Sequence, residues 1–107
     1  MIFYILSISI ISFLNAITYI IPDDFSSIQL GINASSDGDT ILVSDGIYYE
    51  NLNMNGKEIT LSSFFYVNGN QSHISNTIID GDSLDHVFLI DNSINPIISG
   101  LTIQNGF

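Results

Sequence analysis

Asp37-Gly38-Asp39-Thr40-Ile41-Leu42-Val43 sets an acidic turn directly before a short apolar run, and units of this kind recur down the chain. They appear at Gly46-Ile47-Tyr48-Tyr49-Glu50-Asn51, Lys57-Glu58-Ile59-Thr60-Leu61, Thr77-Ile78-Ile79-Asp80-Gly81 and Gly100-Leu101-Thr102-Ile103-Gln104-Asn105-Gly106-Phe107. Ile59 and Leu61 flank Thr60, Val87 and Leu89 flank Phe88, and Leu101 and Ile103 flank Thr102. Alternation of period two between Gly, Asn, Asp and Ser corners predicts short strands. Asn-Gly and Asp-Gly also close hairpins, so a meander or sandwich is the competing architecture. Strands this short, recurring without strong sequence identity, favour an all-β coil that grows by adding rungs. The pattern reaches Phe107 in mid-strand, which predicts an incomplete coil with an open edge over Leu101 to Ile103 and further rungs after Phe107.

Composition narrows the function classes. A chain of 107 residues holds one small domain. Its net charge is -10, with Lys57 as the single cation and no arginine. Phosphate backbones require clustered Lys or Arg, so nucleic acid is excluded as a partner. Cysteine is absent, which removes disulfides, thiol nucleophiles and thiolate metal sites.

Met1 to Ile21 carries no Asp, Glu, Lys, Arg or His. Its apolar core from Ile2 to Leu14, followed by Asn15-Ala16, predicts a signal peptide over 1–16. The alternative is a membrane anchor over 1–21, since about 20 apolar residues span a bilayer; a membrane is a partner only if this segment stays uncleaved. Residues 17–39 form an N-terminal cap with a helix over 24–34, in which Ser26 is the N-cap and Gln29 closes a capping box. Phe25, Ile28 and Ile32 share one face of that helix. Residues 40–107 form the rungs.

These stretches carry a family resemblance. Ile21-Pro22, Phe25-Ser26-Ser27-Ile28-Gln29 with Ile32, and then the units from Asp37 to Asn51 resemble the N-terminal region of the pectin-lyase-like superfamily. The later units continue the likeness, which covers almost the whole chain after residue 20. It implies a right-handed parallel β-helix, a single-stranded solenoid in which a helix caps the start and rungs of three short strands stack. The chain is similar to secreted bacterial β-helix-repeat proteins and, more distantly, to pectinesterases. That similarity implies a secreted or cell-surface scaffold that binds polysaccharide or a cell-surface glycan, without catalysis in this segment. The alternative is the N-terminal part of a pectinesterase or polysaccharide lyase whose catalytic rungs lie elsewhere.

Individual residues are tested against those chemistries. The resemblance implies an Arg or Lys base in the lyases. Lys57 stands next to Glu58, which stabilises its charged form, so it reads as a solvated turn residue. Pectinesterases imply an arginine that this chain lacks. Glycoside hydrolysis needs two carboxyl groups about 5 to 9.5 Å apart, which spacing alone does not place. No catalytic or cofactor-binding residue is therefore assigned. Asp80, Asp82 and Asp85 are the calcium candidates, because calcium accepts several oxygen ligands in irregular geometry; the competing reading is a solvated turn. His73 and His86 lack metal-site spacing. Phe64, Phe65 and Tyr66, in a long loop from Ser62 to Asn76, are the candidate carbohydrate or surface contact.

Overall fold

The computed structural model describes residues 15–91 and 95–107. In chain order it contains β1 (Thr18–Ile21), α1 (Ile28–Ala34), β2 (Thr40–Val43), β3 (Gly46–Tyr49), β4 (Leu52–Asn53), β5 (Thr60–Ser63), α2 (Phe65–Asn68), α3 (Ser72–Asn76), β6 (Thr77–Asp80), β7 (Phe88–Leu89), β8 (Ile97–Ser99) and β9 (Thr102–Gln104). The signal-peptide core at Ile2 to Leu14 lies outside the described residues. Among the described residues no helix is long and apolar enough to cross a membrane.

The expected all-β right-handed parallel β-helix with one capping helix is corrected. Three helices stand among the described strands, and the arrangement is α/β-like, with short strands in parallel sheets. The segment read as a loop supplies two of them. Gly69 takes the left-handed conformation that ends α2, with φ of 70°, and its N–H returns to the Phe65 carbonyl. Asn68 Oδ1 accepts from Asn70 N, and Asn70 Oδ1 accepts from Ser72 N, so short polar side chains carry the backbone from α2 into α3.

Sheet order is β1-β2-β5-β8 in one sheet, β3-β6-β9 in a second and β4-β7 in a third. Every strand pair among the described residues is parallel, which removes the meander. Asn55-Gly56, with φ of 56° and 70°, turns a corner instead of closing a hairpin. Register aligns like with like: Thr18, Thr40 and Thr60 stand in line, followed by Tyr19, Ile41, Leu61 and Ile98. In the second sheet Tyr48, Ile79 and Ile103 align.

The core follows from that register. Ile21, Ile28, Ile32, Ile41, Val43, Leu52, Met54, Ile59, Leu61, Ile79 and Val87 form one buried cluster. A fully buried aliphatic side chain of this kind contributes about 1.5–3 kcal/mol. β2 and β5 are buried on both faces, for Leu42 and Ser62 are covered as well as Ile41 and Leu61. Ser62 Oγ donates to the Ser63 carbonyl, and Ser63 Oγ accepts from Phe65 N, so neither buried hydroxyl is left without a partner.

α1 lies against β1, β2 and β4. It is shorter than the expected 24–34, and its N-cap is Ser27 rather than Ser26: Ser27 Oγ accepts from Leu30 N at 3.2 Å. Gln29 makes no capping box. Its side chain bridges outward to Asn53, accepting from Asn53 N and donating to Asn53 O. The other free amides at the helix start meet a carboxylate from twenty-odd residues away. Glu50 Oε2 accepts from Ile28 N at 2.9 Å, and Oε1 accepts from Gln29 N at 3.0 Å. At the far end Lys57 Nζ donates to the carbonyls of Ile32 and Asn33, at 2.7 and 3.0 Å. Lys57 is thus a helix C-terminal cap, not a solvated turn residue; anion at the start and cation at the end both suit the helix dipole. Gly31 lets α1 approach the sheet, since a Cβ there would lie 3.0 Å from Ile21 Cδ1.

Glu50→Ala removes both acceptors and should lower stability by about 1–2 kcal/mol. Lys57→Met should cost about 0.3–1 kcal/mol, because it deletes a partly exposed charge at the other end. Urea denaturation with helical and aromatic signals recorded together checks both, and equal stability of Glu50→Ala and the parent would contradict this capping.

Candidate functional site

Phe64, Phe65 and Tyr66 sit at the corner between β5 and β6, on and beside α2. The helix points them in different directions. Phe65 is half-buried over Gly100, where a Cβ would stand 3.0 Å from the Phe65 Cβ. Phe64 is half-buried against His73, with ring centroids 6.2 Å apart and planes inclined at 51°. Tyr66 is 56% exposed, and Val67 beside it 62%. The three aromatics therefore form no flat row: Tyr66 faces solvent, Phe64 forms a shoulder, and Phe65 belongs to the packing.

A polar chain runs alongside. His73 Nδ1 lies 2.6 Å from Asp45 Oδ1, and Asn68 Nδ2 lies 3.2 Å from His73 Nε2. Asn68 Oδ1 is engaged by Asn70 N, which leaves its amide nitrogen facing the ring. Asp45 can only accept and Asn68 Nδ2 can only donate. In the neutral ring the proton therefore sits on Nδ1, and Nε2 is the acceptor. Thr77 Oγ1 completes the group by donating to Asp45 Oδ1 at 3.3 Å.

An Asp–His pair invites comparison with a nucleophile–base–orienter triad, where the distal nitrogen must receive a proton from a hydroxyl or thiol. Here that nitrogen receives an amide N–H instead. The arrangement holds the ring in place and presents Asn, His and Asp edges beside an aromatic face. Sequence reasoning missed this group, because Asp45, Asn68 and His73 are brought together by the corner helices and share no motif.

The calcium candidates are not brought together. Asp80 is buried, and its carboxylate is committed: Oδ1 accepts from Asp82 N at 2.7 Å, and Oδ2 accepts from Gln104 Nε2 and Asn105 Nδ2, both at 2.9 Å. These bonds, Gln104 first, then the Asp82 amide and Asn105, hold the Asp80 carboxyl below its ordinary pKa against the opposing effect of burial. Asp82 is exposed, and Asp85 turns its carboxylate to the His86 amide. Among the described residues no three His, Asp or Glu side chains gather where a metal ion could sit. Asp80 ties β6 to β9.

Other aromatics also divide by burial. Tyr49 is exposed, whereas Tyr48 and Phe88 pack on the core. Tyr48 Oη donates to the Ser44 carbonyl, and burial, followed by Asp45, Glu50 and Asp23, pushes its pKa up. An open pocket of about 390 Å³ lies between Asp37, Glu58, Thr60 and Ile97, and one of about 210 Å³ between Asn51, Asn53, Asp85 and His86.

No family model, curated protein or solved structure matches this chain. The likeness to pectin-lyase-like proteins therefore rests on the residues that carry it alone.

The Asp80 corner makes stability depend on pH. A depressed pKa means that Asp80 stabilises the fold above its ordinary pKa and that this contribution is lost as pH falls through the lower folded value. Thermal melts between about pH 5 and pH 2 should show a stability gap between the parent and Asp80→Asn that closes at the acid end. A gap independent of pH would contradict this. Gly81→Ala places a Cβ 2.7 Å from the Asn105 carbonyl oxygen. It should cost about 1–3 kcal/mol in the same melts.

Proposed function

We propose that this chain is a non-catalytic binding scaffold, exported to the cell surface or medium, whose α2 corner contacts a glycan. The observation that carries the reading is the solvent-facing ring of Tyr66 on the same α2 corner that holds Phe64 against the Asn68–His73–Asp45 chain. Sugars present apolar C–H faces and hydroxyl edges. A corner that carries an exposed aromatic ring together with amide, imidazole and carboxylate groups offers a surface for each. Export is supported by the uncharged segment Met1 to Leu14.

Charge narrows the ligand. The protein carries a net charge of -10, and its one lysine is engaged at the end of α1. Acidic polysaccharides would be repelled, so a neutral glycan is the ligand class.

Binding of the full-length protein to an array of neutral and acidic glycans tests the reading. Neutral glycans should bind, and Tyr66→Ala should weaken them roughly two- to thirteenfold, the loss of about 0.5–1.5 kcal/mol of aromatic contact. Asn68→Ala should weaken them as well, because it frees one side of His73. Binding that is indifferent to Tyr66, or confined to acidic glycans, would overturn the proposal.

A further inference from the structure

Asparagine followed by glycine is a chemically weak step in a polypeptide, because glycine has no Cβ to shield its backbone nitrogen from the side-chain amide before it. The chain has three such steps, Asn55-Gly56, Asn68-Gly69 and Asn105-Gly106. All three asparagines are exposed, so water reaches each of them. They differ in how the fold holds them.

Asn68 is held at every atom the reaction needs. It ends α2, and the Gly69 N–H donates to the Phe65 carbonyl at 2.8 Å. Asn68 Oδ1 accepts from Asn70 N, and Nδ2 lies 3.2 Å from His73 Nε2. Attack by Gly69 N breaks the cap of α2 and both side-chain contacts. Asn105 is held differently, donating Nδ2 to Asp80 Oδ2 at 2.9 Å. Asp80 is buried, so negative charge developing on the Asn105 amide meets a fixed carboxylate.

Asn55 stands with Gly56 in the corner between β4 and β5, outside any helix or strand. Its Nδ2 donates to Asn33 Oδ1 at 2.9 Å, a neutral partner in place of a carboxylate. Lys57 Nζ donates to the carbonyl of the same Asn33 at 3.0 Å. The Asn55 amide and the protein's single lysine therefore converge on one residue. Negative charge developing at Asn55 is favoured by that cation.

We propose that Asn55 is a self-modifying site, converting to aspartate and isoaspartate in the folded protein ahead of Asn68 and Asn105. Gly56 N attacks Asn55 Cγ, so an N–Cγ bond forms and the Cγ–Nδ2 bond breaks. Nδ2 leaves as ammonia, carrying the proton that Gly56 N gives up, and a cyclic imide remains. Water then adds to either imide carbonyl and opens the ring, which leaves one new carboxylate. That carboxylate sets an acceptor against Asn33 Oδ1, which already accepts from Gln29 Nε2. The tie from this corner to α1 is thereby lost, at the helix end that Lys57 caps.

Peptide mapping by mass spectrometry tests this on the full-length protein, incubated at mildly alkaline pH both folded and in concentrated urea. In the folded protein Asn55 should lose ammonia several-fold faster than Asn68 and Asn105. In urea the three rates should converge, because the fold no longer separates them. Asn55→Asp copies the charged product. In that variant the Ser35 amide, which donates to the Gly31 and Ile32 carbonyls at the end of α1, should exchange roughly two- to thirteenfold faster, as the loss of one hydrogen bond implies. Folded-state loss led by Asn68 or Asn105, or a ranking that urea leaves unchanged, would overturn the proposed site. Unchanged Ser35 exchange in Asn55→Asp would overturn the loosening of α1.

Discussion

Glu50 reaches back 22 residues to accept the Ile28 amide and 21 to accept that of Gln29, and the organisation of the sheets depends on this contact. A seven-residue helix is too short to persist alone, since nucleation costs more than so few hydrogen bonds return. It is held by the Ser27 hydroxyl and the Glu50 carboxylate at its start, by Lys57 at its end, and by Ile28 and Ile32 set among Ile21, Ile41 and Leu61. Glu50 and Lys57 stand on either side of β4. Closing the helix therefore also fixes where the chain turns between the second sheet and the return to the first.

Beside that helix the sheets are built from short parallel strands. Parallel strands of two to four residues bury little each. Their register, however, places aliphatic side chains in columns, so each strand covers the one before it. The polar corners stack as well. Asn51 Nδ2 donates to carbonyls of the Gly81–His86 corner, and Gly81 N donates to the Gln104 carbonyl. Asp80 adds a carboxylate held by amides from the following strand. Backbone groups that would be exposed at a corner thus find partners in the neighbouring one.

Several strand positions were legible in the sequence, whereas the expected all-β right-handed β-helix was not what these strands form. Strands β2, β5, β7 and β9 fall where alternation between Gly, Asn, Asp and Ser corners placed them, and β3 and β6 fall on the short apolar runs between such corners, because both patterns are local. What escaped depends on partners distant along the chain. Ser26 with Gln29 satisfies the capping-box spacing, yet Ser27 and Glu50 do the work, and nothing local marks Glu50 as a cap. Ser62 to Asn76 reads as a loop, but Ser62 and Ser63 end β5, and Asn68 and Asn70 use their side chains to bridge two short helices. Lys57 beside Glu58 suggested a solvated pair, whereas its ammonium belongs to the helix end. The aromatic trio was visible as residues; that Tyr66 alone faces outward is set by α2. His73 had no visible partner, since Asp45 lies 28 positions away.

The functional reading and the architecture share one logic. Side chains that could have done chemistry, Asp80 and Lys57 above all, are spent on holding the sheets together. At the α2 corner, by contrast, the Tyr66 ring faces solvent. Residue-resolved amide hydrogen exchange on the full-length protein tests the account most directly. If the Glu50 contact closes the sheets, the amides of Ile28 and Gln29 should exchange as slowly as those of β2 and β5, which are buried on both faces. Helix amides that exchange at unprotected rates while the strands stay protected would show that α1 is not the closing element.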